Sequence, residues 1–163
     1  MIHHSLPQVP AAPVRMVDRL DGLSVIRDPD CAAAFWQRAP CPSFLDWLDT
    51  LDPEQFPTGC MVLHPKAVRQ VVLQICDSVG TPDCGEGAAL LDDVAVLAEY
   101  FADLMSAPWL RVRLDAATTA ASRRVRVDPS GARLFCTYRG PATQWRVAHE
   151  NVGPRWGYTV PPA

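Results

Sequence analysis

An α+β fold is predicted for this 163-residue chain, with an N-terminal helical layer packed on a small C-terminal antiparallel sheet. Three observations carry that prediction. Between residues 43 and 106, apolar side chains recur every three or four positions, the period of a helix face. After Pro108 the period falls to two, as in Leu110-Arg111-Val112-Arg113-Leu114. The helical patterns also come first and the strand patterns later, without the alternation that builds parallel sheets.

Each element has its own signal. Pro7, Pro10 and Pro13 make residues 1–14 a flexible leader, with residues 15–163 as a single α+β domain. His3 and His4 lie in that leader and read as part of a mobile tail. Leu23-Ser24-Val25-Ile26 reads as a short strand, and Asp28 or Asp30 can cap a short helix through Ala32, Phe35, Trp36 and Arg38. Pro40 and Pro42 break the chain. Ser43, with Asp46 three residues on, resembles a capping box, and Phe44, Leu45, Leu48 and Leu51 form the buried face of the helix that follows.

Pro65 suits the first turn of a second helix with the stripe Val68, Val71, Val72, Ile75 and Val79, closed by Gly80-Thr81-Pro82. His64 is read as a boundary residue. The loop at 80–88 has neither the length nor the Lys of a phosphate-binding loop. The longest helix is expected over 88–106, with Leu90, Leu91, Val94, Leu97, Ala98, Phe101, Leu104 and Met105 facing the core. Asp92 and Asp93 fall off that stripe and read as solvated acids favoured by the helix dipole. Further on, Val125 and Val127 alternate with Arg124 and Arg126, and Asp128-Pro129-Ser130-Gly131 is a turn signal, so residues 123–138 read as a β-hairpin. Residues 143–147 offer one more strand, and the tail after it reads as irregular.

Composition narrows the classes of function. Apolar residues make up 48% of the chain and charged residues 20%, which is globular. No apolar run approaches the roughly 20 residues that span a bilayer, and the start lacks a secretory pattern, so a cytoplasmic protein without a membrane role is expected. The six cysteines form no C-x-x-C pair, so reduced thiols acting mostly as small buried hydrophobes are expected rather than disulfides or a zinc site. Net charge is −3, split between 15 acids and six bases in residues 1–110 and three acids and nine arginines in residues 111–163. That split either draws the two parts together or leaves an arginine-rich face for an anion. A pI near 5.7 argues against nucleic acid.

The candidate site follows from strand geometry. Arg124, Arg126 and Asp128 alternate with Val125 and Val127, so they share one strand face. Arg111 and Arg113 join them if their strand pairs alongside. Such a face suits a small carboxylate or phosphate, or a protein partner. Cys136 is expected in mid-strand, buried and inert, and no G-x-S-x-G elbow occurs.

Arg133-Leu134-Phe135-Cys136-Thr137-Tyr138-Arg139-Gly140-Pro141-Ala142-Thr143-Gln144-Trp145 is more specific than a fold requires. It resembles the signature of the bacterial domain-of-unknown-function 1826 family, which reads C-x-x-x-H-x-D and then R-L-x-C-T-Y-x-G-P-G-T-x-W. The resemblance covers most of residues 17–147 and implies a link to metal homeostasis. Arg126 stands at the His position of that pattern, Ser122 at the Cys, and Ala142 at a Gly of the turn. A guanidinium stays protonated and cannot ligate a cation, so no metal is expected there.

The pattern is also similar to part of the iron- and 2-oxoglutarate-dependent oxygenases. However, the span from Asp128 through His149 to Ala163 is too short for their barrel. The expectation is therefore a non-catalytic binding or accessory protein without a cofactor. Its ligand-binding candidates are Arg124, Arg126, Asp128, Arg133, Tyr138 and Trp145. A degenerate oxygenase-like enzyme and a structural partner subunit are the alternatives.

Overall fold

The computed structural model describes residues 14–116, 126–127, 131–140, 144–148 and 155–159, with the backbone alone described for 126–127, 144–148 and 155–159. The architecture is α+β, and the chain divides into two compact units. One holds Met1–Ala39, Ser122–Pro129 and Thr143–Val160; the other holds Pro40–Ala121, Ser130–Ala142 and Pro161–Ala163.

The first unit contains two sheets. Strand β1 (Val14–Val17) runs parallel to β2 (Ala33–Trp36), in register from Val14 with Ala33 to Val17 with Trp36. A 3-10 helix, Leu20–Arg27, forms part of the crossover. This corrects two expectations: residues 23–26 are helical, and residues 33–36 are a strand rather than a helix. Trp36 fixes the pair by donating its indole N–H to the Asp18 carbonyl at 3.1 Å, and the Arg38 guanidinium lies 4.8 Å over its ring.

The second sheet is antiparallel, with β5 (Arg126–Val127) and β6 (Gln144–Ala148) flanking a central β7 (Arg155–Thr159). Strand β5 therefore pairs with β7 and not with residues 132–138, which form no strand. The expected hairpin is absent from the described part of 123–138, and the tail expected to be irregular supplies β7.

The second unit holds the helices. Helix α1 (Pro42–Thr50) has Pro42 in its first turn, and its N-cap is Cys41 rather than Ser43. Strand β3 (Gly59–Leu63) follows, and a 3-10 turn, Pro65–Ala67, leads into α2 (Val68–Val79). Gly80 ends α2 at φ 74°, a left-handed value that glycine adopts without strain. Helix α3 (Gly85–Met105) and strand β4 (Leu110–Leu114) complete the unit. Strands β3 and β4 are antiparallel, in register from Gly59 with Leu114 to Leu63 with Leu110.

The core forms where the helical stripes meet this ribbon. Val68, Val72, Cys76, Leu91, Ala98, Ala102 and Leu110 are buried together, with Leu63, Val94, Phe101, Val112 and Leu114 packed around them. Among the described residues no helix is long and apolar enough to cross a membrane. All six cysteines are free thiols, but only Cys76 is buried; Cys41, Cys60 and Cys136 are exposed. The expectation of mostly buried cysteines therefore fails, because Cys60 and Cys136 lie on solvent-facing positions and Cys41 caps a helix.

Candidate functional site

The specific C-terminal segment returns to the helical unit, and two of its side chains fasten it there. Tyr138 donates its hydroxyl to an Asp93 carboxylate oxygen of α3 at 2.6 Å. Its ring meets the edge of Phe44 from α1, with centroids 6.3 Å apart and planes at 76°. Arg139 reaches the end of α1. Its Nη1 donates to the Leu51 carbonyl at 2.8 Å, and its Nε lies 3.3 Å from the Asp49 carboxylate. The same guanidinium lies 5.4 Å from the centroid of the Phe56 ring.

A helix leaves its last carbonyls without intrahelical donors, and a cation there also suits the helix dipole. Residues 138–139 therefore form a latch from the C-terminal segment onto α1 and α3. Cys136 sits between the latch and Arg133, exposed and outside any strand, so the expected buried thiol is corrected. Arg133 is exposed and lies 5.4 Å over the Phe135 ring.

Replacing Tyr138 with Phe is expected to lower stability by about 1.5–3 kcal/mol, the range for a hydrogen bond to a charged acceptor. Urea unfolding of Tyr138→Phe, Asp93→Asn and the double variant checks this. Losses that simply add would show that the two groups do not act together.

The β3–β4 ribbon has one packed face and one open face. Met61, Leu63, Leu110, Val112 and Leu114 take the inner positions, and Leu110 is 7% exposed. The outer face carries Cys60 opposite Arg113 and Val62 opposite Arg111, with Trp109 just before β4 and His64 just after β3. Val62 is 60% exposed and Trp109 is 62% exposed. The His64 and Trp109 rings meet edge to face at 6.0 Å, while His64 Nδ1 accepts from the Lys66 backbone N–H at 3.3 Å. Arg113 holds Asp115 at 2.8 Å in an exposed pair.

A third feature is an open cleft of about 190 Å³ that runs along α2 beside the connection to α3 and the first turns of α3. Its lining includes Arg69, Cys76, Asp77, Thr81, Asp83 and Leu91. Burial pushes the Cys76 thiol above its ordinary pKa, against a hydrogen bond with Thr81, so it is not an activated nucleophile. Arg69 is tied to Asp92 at 2.6 Å. The Cys41 thiol shifts the other way: the Ser43 side chain, then the backbone groups of Ser43 and Phe44, hold it below its ordinary pKa. Among the described residues no group of three or more His, Cys, Asp or Glu could hold a metal ion.

The family described as "Protein of unknown function (DUF1826)" matches residues 17–155, a span that includes the latch and the ribbon. The chain belongs to the DUF1826 family. No curated protein and no solved structure matches it.

In this DUF1826 member the sequence-predicted residues have different fates. Tyr138 is part of the latch, and Arg133 precedes it on the same segment. Arg126 and Trp145 stand in one row of the three-stranded sheet, since both are in register with Tyr158 of β7. Arg124 and Asp128 lie outside the described residues. Arg111 and Arg113 belong to a different sheet from Arg126, because β4 pairs with β3 and β5 pairs with β7.

Asp93, expected as a solvated acid, is half-buried and bonded to Tyr138, because it lies in the third turn of α3, where the latch crosses, rather than at the helix start. Sequence reasoning also passed over Val62 and Trp109. The available signal was the β3 sequence Gly59-Cys60-Met61-Val62-Leu63, which has no polar residue at its outward positions.

Proposed function

We propose that this DUF1826 protein is a non-catalytic binding or accessory protein whose contact surface is the outer face of the β3–β4 ribbon. The observation that carries this reading is Trp109, 62% exposed beside exposed Val62 and the outward Arg111 and Arg113. Trp and Arg are among the side chains most enriched at binding hot spots, and here they share one face with an exposed valine. Two further features support the absence of chemistry. The signature residue Tyr138 and its neighbour Arg139 are committed to holding the fold, and the thiol in the cleft is shifted away from reactivity. A role in metal homeostasis, which the family resemblance implies, would be exercised through the partner.

The test uses the full chain as bait in a lysate of its own source, alongside the Trp109→Ala variant. The expected result is at least one protein, identified by mass spectrometry and rebuilt from purified components, that binds the natural chain and loses affinity at least tenfold for Trp109→Ala. If bait and variant retain the same proteins with the same affinity, the ribbon is not the contact surface.

A further inference from the structure

We infer that the occupant of the β3–β4 face is an extended acidic-apolar segment of another protein, laid along β4 with carboxylates over Arg111 and Arg113 and an apolar side chain against Trp109. This inference rests on the contact-face reading and names the chemistry of its partner. Three observations select that chemistry.

The first is spacing. Arg111 and Arg113 are alternate residues of one strand and both are exposed. Alternate residues of a strand lie about 6.6–6.8 Å apart, the repeat that alternate residues of a neighbouring strand present. Opposite charges directly across two strands attract, so acids two residues apart match this pair.

The second is the edge. Among the described residues β4 pairs with β3 alone, and an extended segment laid beside its other edge would add backbone hydrogen bonds to the side-chain contacts. A helix laid on the face would leave that edge unused.

The third is the mixture of groups. Guanidinium groups recognise carboxylate and phosphate alike. Val62 and Trp109 beside them call for an apolar side chain within the same ligand. A polyanion such as nucleic acid brings no aliphatic side chain to Val62 and Trp109, whereas a segment with two acids and an apolar residue does. Arg113 is paired with Asp115 on the exposed face, and an incoming carboxylate would share that guanidinium rather than find it bare. Lys66, exposed next to His64, adds a further positive charge near the Trp109 end.

The test measures fluorescence anisotropy of two labelled peptides against the full chain, one containing Glu-Thr-Glu-Thr-Leu and one containing Lys-Thr-Lys-Thr-Leu. The acidic peptide is expected to bind, and more weakly as salt rises. The double variant Arg111→Glu with Arg113→Glu is expected to bind it at least tenfold more weakly and to gain affinity for the basic peptide. Trp109→Ala is expected to weaken the acidic peptide about tenfold. All three side chains are exposed, so the melting temperatures of these variants are expected to stay close to that of the natural chain.

Equal binding of the two peptides, no binding of the acidic one at millimolar protein, or indifference to charge reversal would overturn the inference. If an identified partner still depends on Trp109 while the acidic peptide fails, the acidic-strand chemistry is wrong and the contact face stands. If neither depends on Trp109, both fall. A doubling of mass in sedimentation that Trp109→Ala abolishes would assign the face to a second copy of this chain and overturn the acidic segment.

Discussion

Replacing Leu48 with Ala is expected to lower the unfolding free energy by about 2–5 kcal/mol, the range for emptying a buried Leu site. Leu48 is 1% exposed, on a nine-residue helix too short to persist by itself in water. What keeps α1 helical is its packing against α3, and Leu48 is the buried side chain of the helix. The cost extends beyond the cavity, because α1 presents Phe44 to Tyr138 and its terminal carbonyls to Arg139. Leu45, on the same helix and 38% exposed, is the control, and its change to Ala is expected to cost under about 1 kcal/mol. Guanidinium unfolding checks the pair. Equal losses at positions 45 and 48 would mean that α1 is not anchored through Leu48.

Gly87 to Ala is expected to destabilise by about 1–3 kcal/mol, in the range for overpacking. A Cβ at residue 87 would stand 2.8 Å from the Pro82 carbonyl oxygen. That oxygen belongs to the backbone of the short connection between α2 and α3, so it cannot swing aside as a side-chain tip can. Helix propensity alone predicts the opposite sign, since Ala in a helix is favoured over Gly by about 1 kcal/mol. Gly85, two residues earlier, has nothing within 4 Å of such a Cβ, and Gly85→Ala is expected to be neutral or stabilising by a few tenths of a kcal/mol. Thermal unfolding of the two variants should therefore move in opposite directions. If Gly87→Ala is as stable as Gly85→Ala, the close approach to Pro82 is not real.

The helices were legible because each buries one face of a regular 3.6-residue repeat. Val68, Val72 and Cys76 recur four residues apart, and all three are buried. Strand β4 was legible because Arg111 and Arg113 mark its outer side and Leu110, Val112 and Leu114 its inner side. Its neighbour β3 was not, because Cys60 and Val62 place apolar groups where alternation requires polar ones. The positions that hid the strand are the ones the proposed contact face uses.

Residues 20–36 were misread for a different reason. Val25 and Ile26 are β-branched yet lie in a 3-10 helix, while Ala33 and Ala34 favour helices yet lie in a strand. Pairing of β2 with the distant β1 overrides local preference there. The latch shows the limit of periodicity. Tyr138 and Asp93 are 45 residues apart, and no local spacing brings them together.

The division of the chain has a consequence for how the molecule can be taken apart. Each compact unit is assembled from three separate stretches, and the first ends at Ala39 only to resume at Ser122 and again at Thr143. No single cut releases either unit whole. A fragment ending at Ala121 keeps every helix of the second unit but loses Tyr138 and Arg139, and with them the fastening of α1 to the C-terminal segment. The family-specific segment is thus the stitch of the helical unit, and a shortened version that keeps α1 fastened must run on from Pro40 through Arg139.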